Sequence, residues 1–177
     1  YYSRHICYKL ATFDYGGICM LIAGSAYPPI YYSFACKPLF KLRNIFLAVL
    51  TIGACLVFAA LCNEKLASNE WRRFKVGMFI ALGAAGVTPF IYVLNFEDKY
   101  SSSMNIDLSP YYLGGVFYLI GAILFATRIP ERFGPGKFDN FGNAHNIFHV
   151  FVVVAAIIHY NAGLKLFEQR QDVVCPL

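Results

Sequence analysis

The sequence predicts an all-α, polytopic transmembrane helical bundle, and three observations carry that reading. The 177-residue chain is 58% hydrophobic, 18% aromatic and only 14% charged, with a mean hydropathy of +0.52. So apolar a mix excludes disordered, coiled-coil and collagen-like chains. Five windows contain no Asp, Glu, Lys or Arg: 15–36, 44–63, 76–96, 108–127 and 140–164. Each matches the ~20 residues that a helix needs to cross a bilayer. The charged residues crowd into the chain ends and into connectors of 7 to 12 residues. A soluble core of this size has no room to wrap five all-apolar helices, and barrel strands are ~10 residues long with one polar face.

The elements follow in order within a single transmembrane domain, 1–177. Residues 1–13 (YYSRHICYKLATF) form neither a clear span nor a signal peptide. Tyr1 is no initiator methionine, so the sequence reads as a piece beginning inside a larger protein. The first span, 15–36, follows Asp14 and contains Pro28-Pro29; the third, 76–96, contains Pro89. Each proline removes a backbone donor and bends its helix. Such a bend either packs against its neighbours or widens a cavity. The second span is 44–63 and the fourth is 108–127. Glycines at 77, 83 and 86, and again at 114, 115 and 121, suit close helix packing. The fifth span occupies 143–164, and a polar tail, 165–177, closes the chain.

Alternating spans put residues 1–13, 64–75 and 128–139 on one side of the membrane. These hold nine basic residues, against six in 37–43, 97–107 and the tail. The excess predicts that the start of the chain is cytosolic and the C-terminus exoplasmic. The net charge of +5 is thereby topological. The basic residues never gather into one long patch, so nucleic acid is no expected partner. Six cysteines show no CxxC pair and no zinc-finger spacing. Only Cys36 and Cys175 would share the oxidising side, which leaves a disulfide between them open.

The polar residues in the last window carry the chemistry. His145 and His149 (HNIFH) are four apart, on one helical face and within reach of one ion. Ionisable groups inside a bilayer are costly and are usually functional. Asp14 starts the first span at the same expected depth as this pair. It could ligate a metal or act through water as a base; equally, it could be a helix N-cap before Tyr15. His159 lies ten residues beyond His149, about 15 Å deeper at 1.5 Å per residue, and reads as a polar packing residue. His5 and Cys7 form a weak H-x-C spacing in a polar segment. A catalytic zinc takes about three protein ligands, so His145, His149 and Asp14 leave a place for a further one from a helix before Tyr1.

Residues 128–151, RIPERFGPGKFDNFGNAHNIFHVF, with Phe13-Asp14-Tyr15-Gly16-Gly17-Ile18 and Tyr31-Tyr32-Ser33-Phe34 before Cys36, closely resemble the progestin and adipoQ receptor family. That family includes the adiponectin receptors and haemolysin III relatives, and the resemblance covers essentially the whole chain. It implies a seven-helix membrane receptor whose third to seventh helices are the five spans here. It also implies a zinc ion near the cytosolic face held by three histidines, of which two map onto His145 and His149. The family aspartate that holds the zinc-bound water maps onto Asp14, and the third histidine falls upstream of Tyr1. Ala144 departs from the serine that relatives often carry. The implied reaction is zinc-dependent hydrolysis of a lipid amide such as ceramide, with an extracellular protein or steroid ligand and a plasma or internal membrane left open. The competing expectation is a non-enzymatic signalling receptor or scaffold with structural zinc.

Overall fold

The computed structural model describes residues 4–34, 36, 39–63, 66, 69–96, 107–138 and 141–171. Among these residues five long helices are formed: α1 (Arg4–Ser33), α2 (Phe40–Leu61), α3 (Arg72–Phe96), α4 (Ser109–Thr127) and α5 (Ala144–Gln171). Short 3₁₀ turns at Asn69–Trp71 and Glu131–Phe133 precede α3 and follow α4. No strand occurs among the described residues. The protein is a polytopic helical membrane bundle. Among the described residues, four segments are long and apolar enough to cross a membrane: Phe40–Leu61, Arg72–Tyr92, Ser109–Phe133 and Ala144–Gln171. The 30-residue α1 is the longest helix, but its tyrosines, prolines and the early Arg4 and Lys9 dilute its apolar stretch.

Large apolar side chains stand exposed along every helix, among them Met20, Leu56, Ile91, Leu113 and Val150. In water such a surface would be an aggregation liability; in a bilayer it faces lipid. α2 shows the pattern most plainly, since only Leu50 and Leu61 of its 22 residues are buried.

The chain divides into two compact units, Tyr1–Ile106 with Leu166–Leu177, and Asp107–Lys165. In the first unit α1 packs on α2 and α3, and α2 packs on α3. One end of this unit is closed by an aromatic cluster, Phe34 with Phe46 at 5.4 Å and both with Tyr92. At the opposite end the Tyr8 hydroxyl donates to the Cys62 carbonyl. Pro28 and Pro29 lie inside α1, and Pro89 lies inside α3. Pro29 and Pro89 are fully buried, which favours prolines packed against neighbours over a widened cavity.

In the second unit α4 and the first part of α5 pack through rings and small residues. Phe117 meets Phe151 at 5.9 Å, and Phe125 meets Phe148 at 5.5 Å. α4 ends at Arg128, whose φ of 57° is left-handed. Its N–H and that of Ile129 return to the carbonyls of Phe125 and Leu124, satisfying the last turn. At the start of α5, the Asn143 side chain accepts the Asn146 N–H at 2.9 Å, an N-cap that sets the helix start at Ala144.

Candidate metal centre

The Asn143 cap places His145 and His149 in the first two turns of α5. Both rings are half-buried, and their Nε2 atoms lie 2.9 Å apart. Two imidazole ligands at ~2.0 Å in a tetrahedral shell stand ~3.3 Å apart, so the pair is close to ligating geometry. Its walls are aromatic: Phe125 meets the His145 ring edge-on at 5.5 Å, and Phe148 lies 5.4 Å from the His149 ring. Ala144 is fully buried.

Asp14 is half-buried within α1. Because α1 begins at Arg4, Asp14 lies in the helix interior, and the N-cap alternative is overturned. The helix runs on past the charge-free window because residues 4–13 contain no Gly or Pro to stop it. His145 and His149 each offer one imidazole nitrogen to a shared ion, from one face of α5. Two imidazoles, partly shielded from water, suit a borderline divalent cation.

The remaining sequence-derived candidates separate from this group. His159 sits toward the other end of α5, with Nε2 donating to the Tyr111 carbonyl at 3.1 Å and the Tyr111 and Tyr118 rings on either side. It is a packing residue, as its depth suggested. The side chains of His5 and Cys7, and all of Cys175, lie outside the described residues.

One residue of interest escaped the sequence reading. Lys75 reads as one more connector cation, yet it is 3% exposed. Its ammonium donates to the Tyr15 hydroxyl at 2.7 Å, and Tyr15 directly follows Asp14. A buried ammonium is tolerated only with such a partner. The signal available in the sequence was weak: a third basic residue set against the start of an apolar window.

A family model described as haemolysin-III related matches residues 2–160. Heptahelical transmembrane protein ADIPOR3 of Oryza sativa subsp. japonica is 39% identical over 98% of this chain and 42% of its own length. Heptahelical transmembrane protein 4 of Arabidopsis thaliana is also 39% identical, over 98% of this chain and 44% of its length. The adiponectin receptor protein of Drosophila melanogaster is 38% identical over 89% of this chain and 35% of its length. The chain thus spans less than half the length of these three relatives.

Proposed function

The chain belongs to the haemolysin-III-related family of membrane proteins, and on that premise we propose that it is the third-to-seventh-helix part of an adiponectin-receptor-like protein that hydrolyses a lipid amide at a zinc ion. In this reading the five spans are 15–36, 44–63, 76–96, 108–127 and 143–164, with α1 entering the bilayer near residue 15. Residues 1–13 face the cytosol, and the C-terminal tail faces the exoplasmic side.

The observation that carries the reading is the His145–His149 pair, with Nε2 atoms 2.9 Å apart on the first two turns of α5. His145 and His149 would hold the zinc through Nε2, and a further histidine from a preceding helix of the full-length protein would complete the set. Bound there, zinc would polarise the amide carbonyl and make water nucleophilic near neutral pH. The Asp14 carboxylate would orient the attacking water, accept its proton and return that proton to the leaving amine nitrogen. Phe125 and Phe148 would keep bulk water from the histidines. A ceramide-type substrate suits an apolar site lying within the membrane, because its amide sits near the headgroup.

The competing reading, a signalling receptor with structural zinc, draws on the receptor name of the Drosophila relative. The two part at Asp14, since a closed structural site needs no activated water. In the full-length protein, Asp14→Ala should keep its zinc and lose at least ~100-fold in ceramide hydrolysis, the usual range for a general acid–base group. Retained hydrolysis would sink the amidase reading.

A further inference from the structure

Between Asp14 and Glu64 the only charged residues are Lys37, Lys41 and Arg43, and all three are basic. Lys41 and Arg43 fall in the first turn of α2, which contains no acidic residue. The helix dipole disfavours cations at that end. Positive charge is thus gathered here with no carboxylate near it in the sequence to offset it.

Arg43 is half-buried and is held by rings. Its guanidinium carbon lies over the Tyr31 ring at 4.4 Å and over the Phe40 ring at 4.5 Å. Tyr31, in the last turn of α1, is itself braced edge-on by Tyr32 at 5.3 Å. Aromatic rings fix a guanidinium in place but supply no oxygen acceptor for its N–H groups. Among the described residues, Arg43 donates only from Nε to the Asn44 side chain, at 3.4 Å. That is long beside the ~2.7–2.9 Å of a charge-assisted bond. The N–H groups of its two terminal nitrogens remain available to an anion.

We propose that Arg43, held by Tyr31 and Phe40, binds the phosphate of a membrane phospholipid, with an acyl chain lying along α1. The apolar span of α2 begins at Phe40, so Arg43 stands at headgroup depth, where lipid phosphates are concentrated. A guanidinium fork meets two phosphate oxygens at once, and the exposed Lys41 adds a second positive charge. From Tyr31 an exposed strip of α1 continues through Tyr27, Gly24 and Met20, one face of the helix. A β-carbon on Gly24 would meet nothing within 4 Å, which leaves a trough beside the ring of Tyr27. The Tyr27 hydroxyl donates to Thr51 of α2 at 2.5 Å, and Thr51 donates to the Leu47 carbonyl at 2.7 Å. The trough therefore sets no unspent hydroxyl proton against a hydrocarbon chain. Neither the zinc nor the reaction proposed above enters into this site.

The test uses the full-length protein in detergent, with bound lipid counted by native mass spectrometry. Dioleoylphosphatidylglycerol, whose headgroup brings no cation of its own, should be retained as a one-to-one adduct. Dioleoylglycerol has the same chains without the phosphate, and inorganic phosphate has the anion without the chains; neither should be retained. Equal retention of dioleoylglycerol would show that the phosphate is not read, and an equal adduct with inorganic phosphate would show a site for a free anion. Either result overturns the proposal, and both are read on the parent protein. Arg43→Ala should weaken phosphatidylglycerol retention about tenfold or more, as loss of a charged hydrogen bond does. Gly24→Leu, which fills the trough and leaves Arg43 in place, should weaken it as well. Arg73→Ala, an exposed cation at the start of α3, should leave retention unchanged. Full retention in Arg43→Ala or in Gly24→Leu, or an equal loss in Arg73→Ala, would refute the site.

Discussion

The imidazole of His159 occupies the space that a β-carbon on Gly114 would need, so α4 approaches α5 there without a side chain between them. The contact is completed by the hydrogen bond from His159 to the Tyr111 carbonyl, one turn earlier on α4.

Gly114→Ala should therefore destabilise the protein, by about 1–3 kcal/mol, as overpacking of a tight contact does. A methyl group on Gly115, by contrast, would meet nothing within 4 Å. Gly115→Ala should be neutral or slightly stabilising, since alanine is the better helix former. Thermal denaturation of the two variants in the same detergent checks the contrast, and equal losses would refute the packing account.

Metal removal should act through the histidine pair. Chelation should lower the thermal midpoint of the full-length protein by about 5–10 °C, the shift expected for losing a ligand held at ~100 times its Kd. Zinc should restore it. His145→Ala and His149→Ala should bind less metal by elemental analysis and should no longer respond to the chelator.

Lys75 and Tyr15 should behave as a coupled pair. Tyr15→Phe removes the acceptor of a buried ammonium and should cost about 1.5–3 kcal/mol. Lys75→Met in that background removes the stranded charge, so the double variant should be more stable than the sum of the two single losses implies. A double-mutant cycle with zero coupling would count against the 2.7 Å bond as an energetic contact.

Asp107 should give the protein a small acid-side dependence. Its carboxylate accepts hydrogen bonds from Ser109, through the side chain and from the backbone N–H at 2.9 Å, and these hold its pKa below the ordinary carboxylate value. A folded pKa below the unfolded one means stability that is present at neutral pH and lost as pH falls through the folded value. Asp107→Ala should lower the midpoint by about a degree or two at pH 7. The difference from the parent should close as the pH is taken down through the acid range.

The helices were legible because charge spacing in a membrane protein is close to a direct record of burial in lipid: α2 and α4 overlap the charge-free windows 44–63 and 108–127. The N-terminal reach of α1 was not legible. Arg4, His5 and Lys9 break the apolar pattern, yet helix formation in 4–13 needs only the absence of breakers. That reach decides the status of Asp14, whose place before Tyr-Gly-Gly looks like a cap on sequence alone. His145 and His149 were visible because i and i+4 fix a shared face on any helix. Lys75 was not, since its burial depends on α1 and α3 meeting at Tyr15, and no local pattern encodes that meeting.

Gly114 and Gly121 lie two helical turns apart on α4 and receive His159 and Phe151 of the antiparallel α5. Together they act as the two notches of a keyed joint. A slide of α4 by one turn would drive Tyr118 or Phe125 into the place of a glycine, so the register has one setting. The joint has a mechanical consequence: α4 and this stretch of α5 must shift as one body. A pull on the far end of α5 would reach the His145–His149 pair as a rigid displacement instead of being absorbed by slippage between the helices.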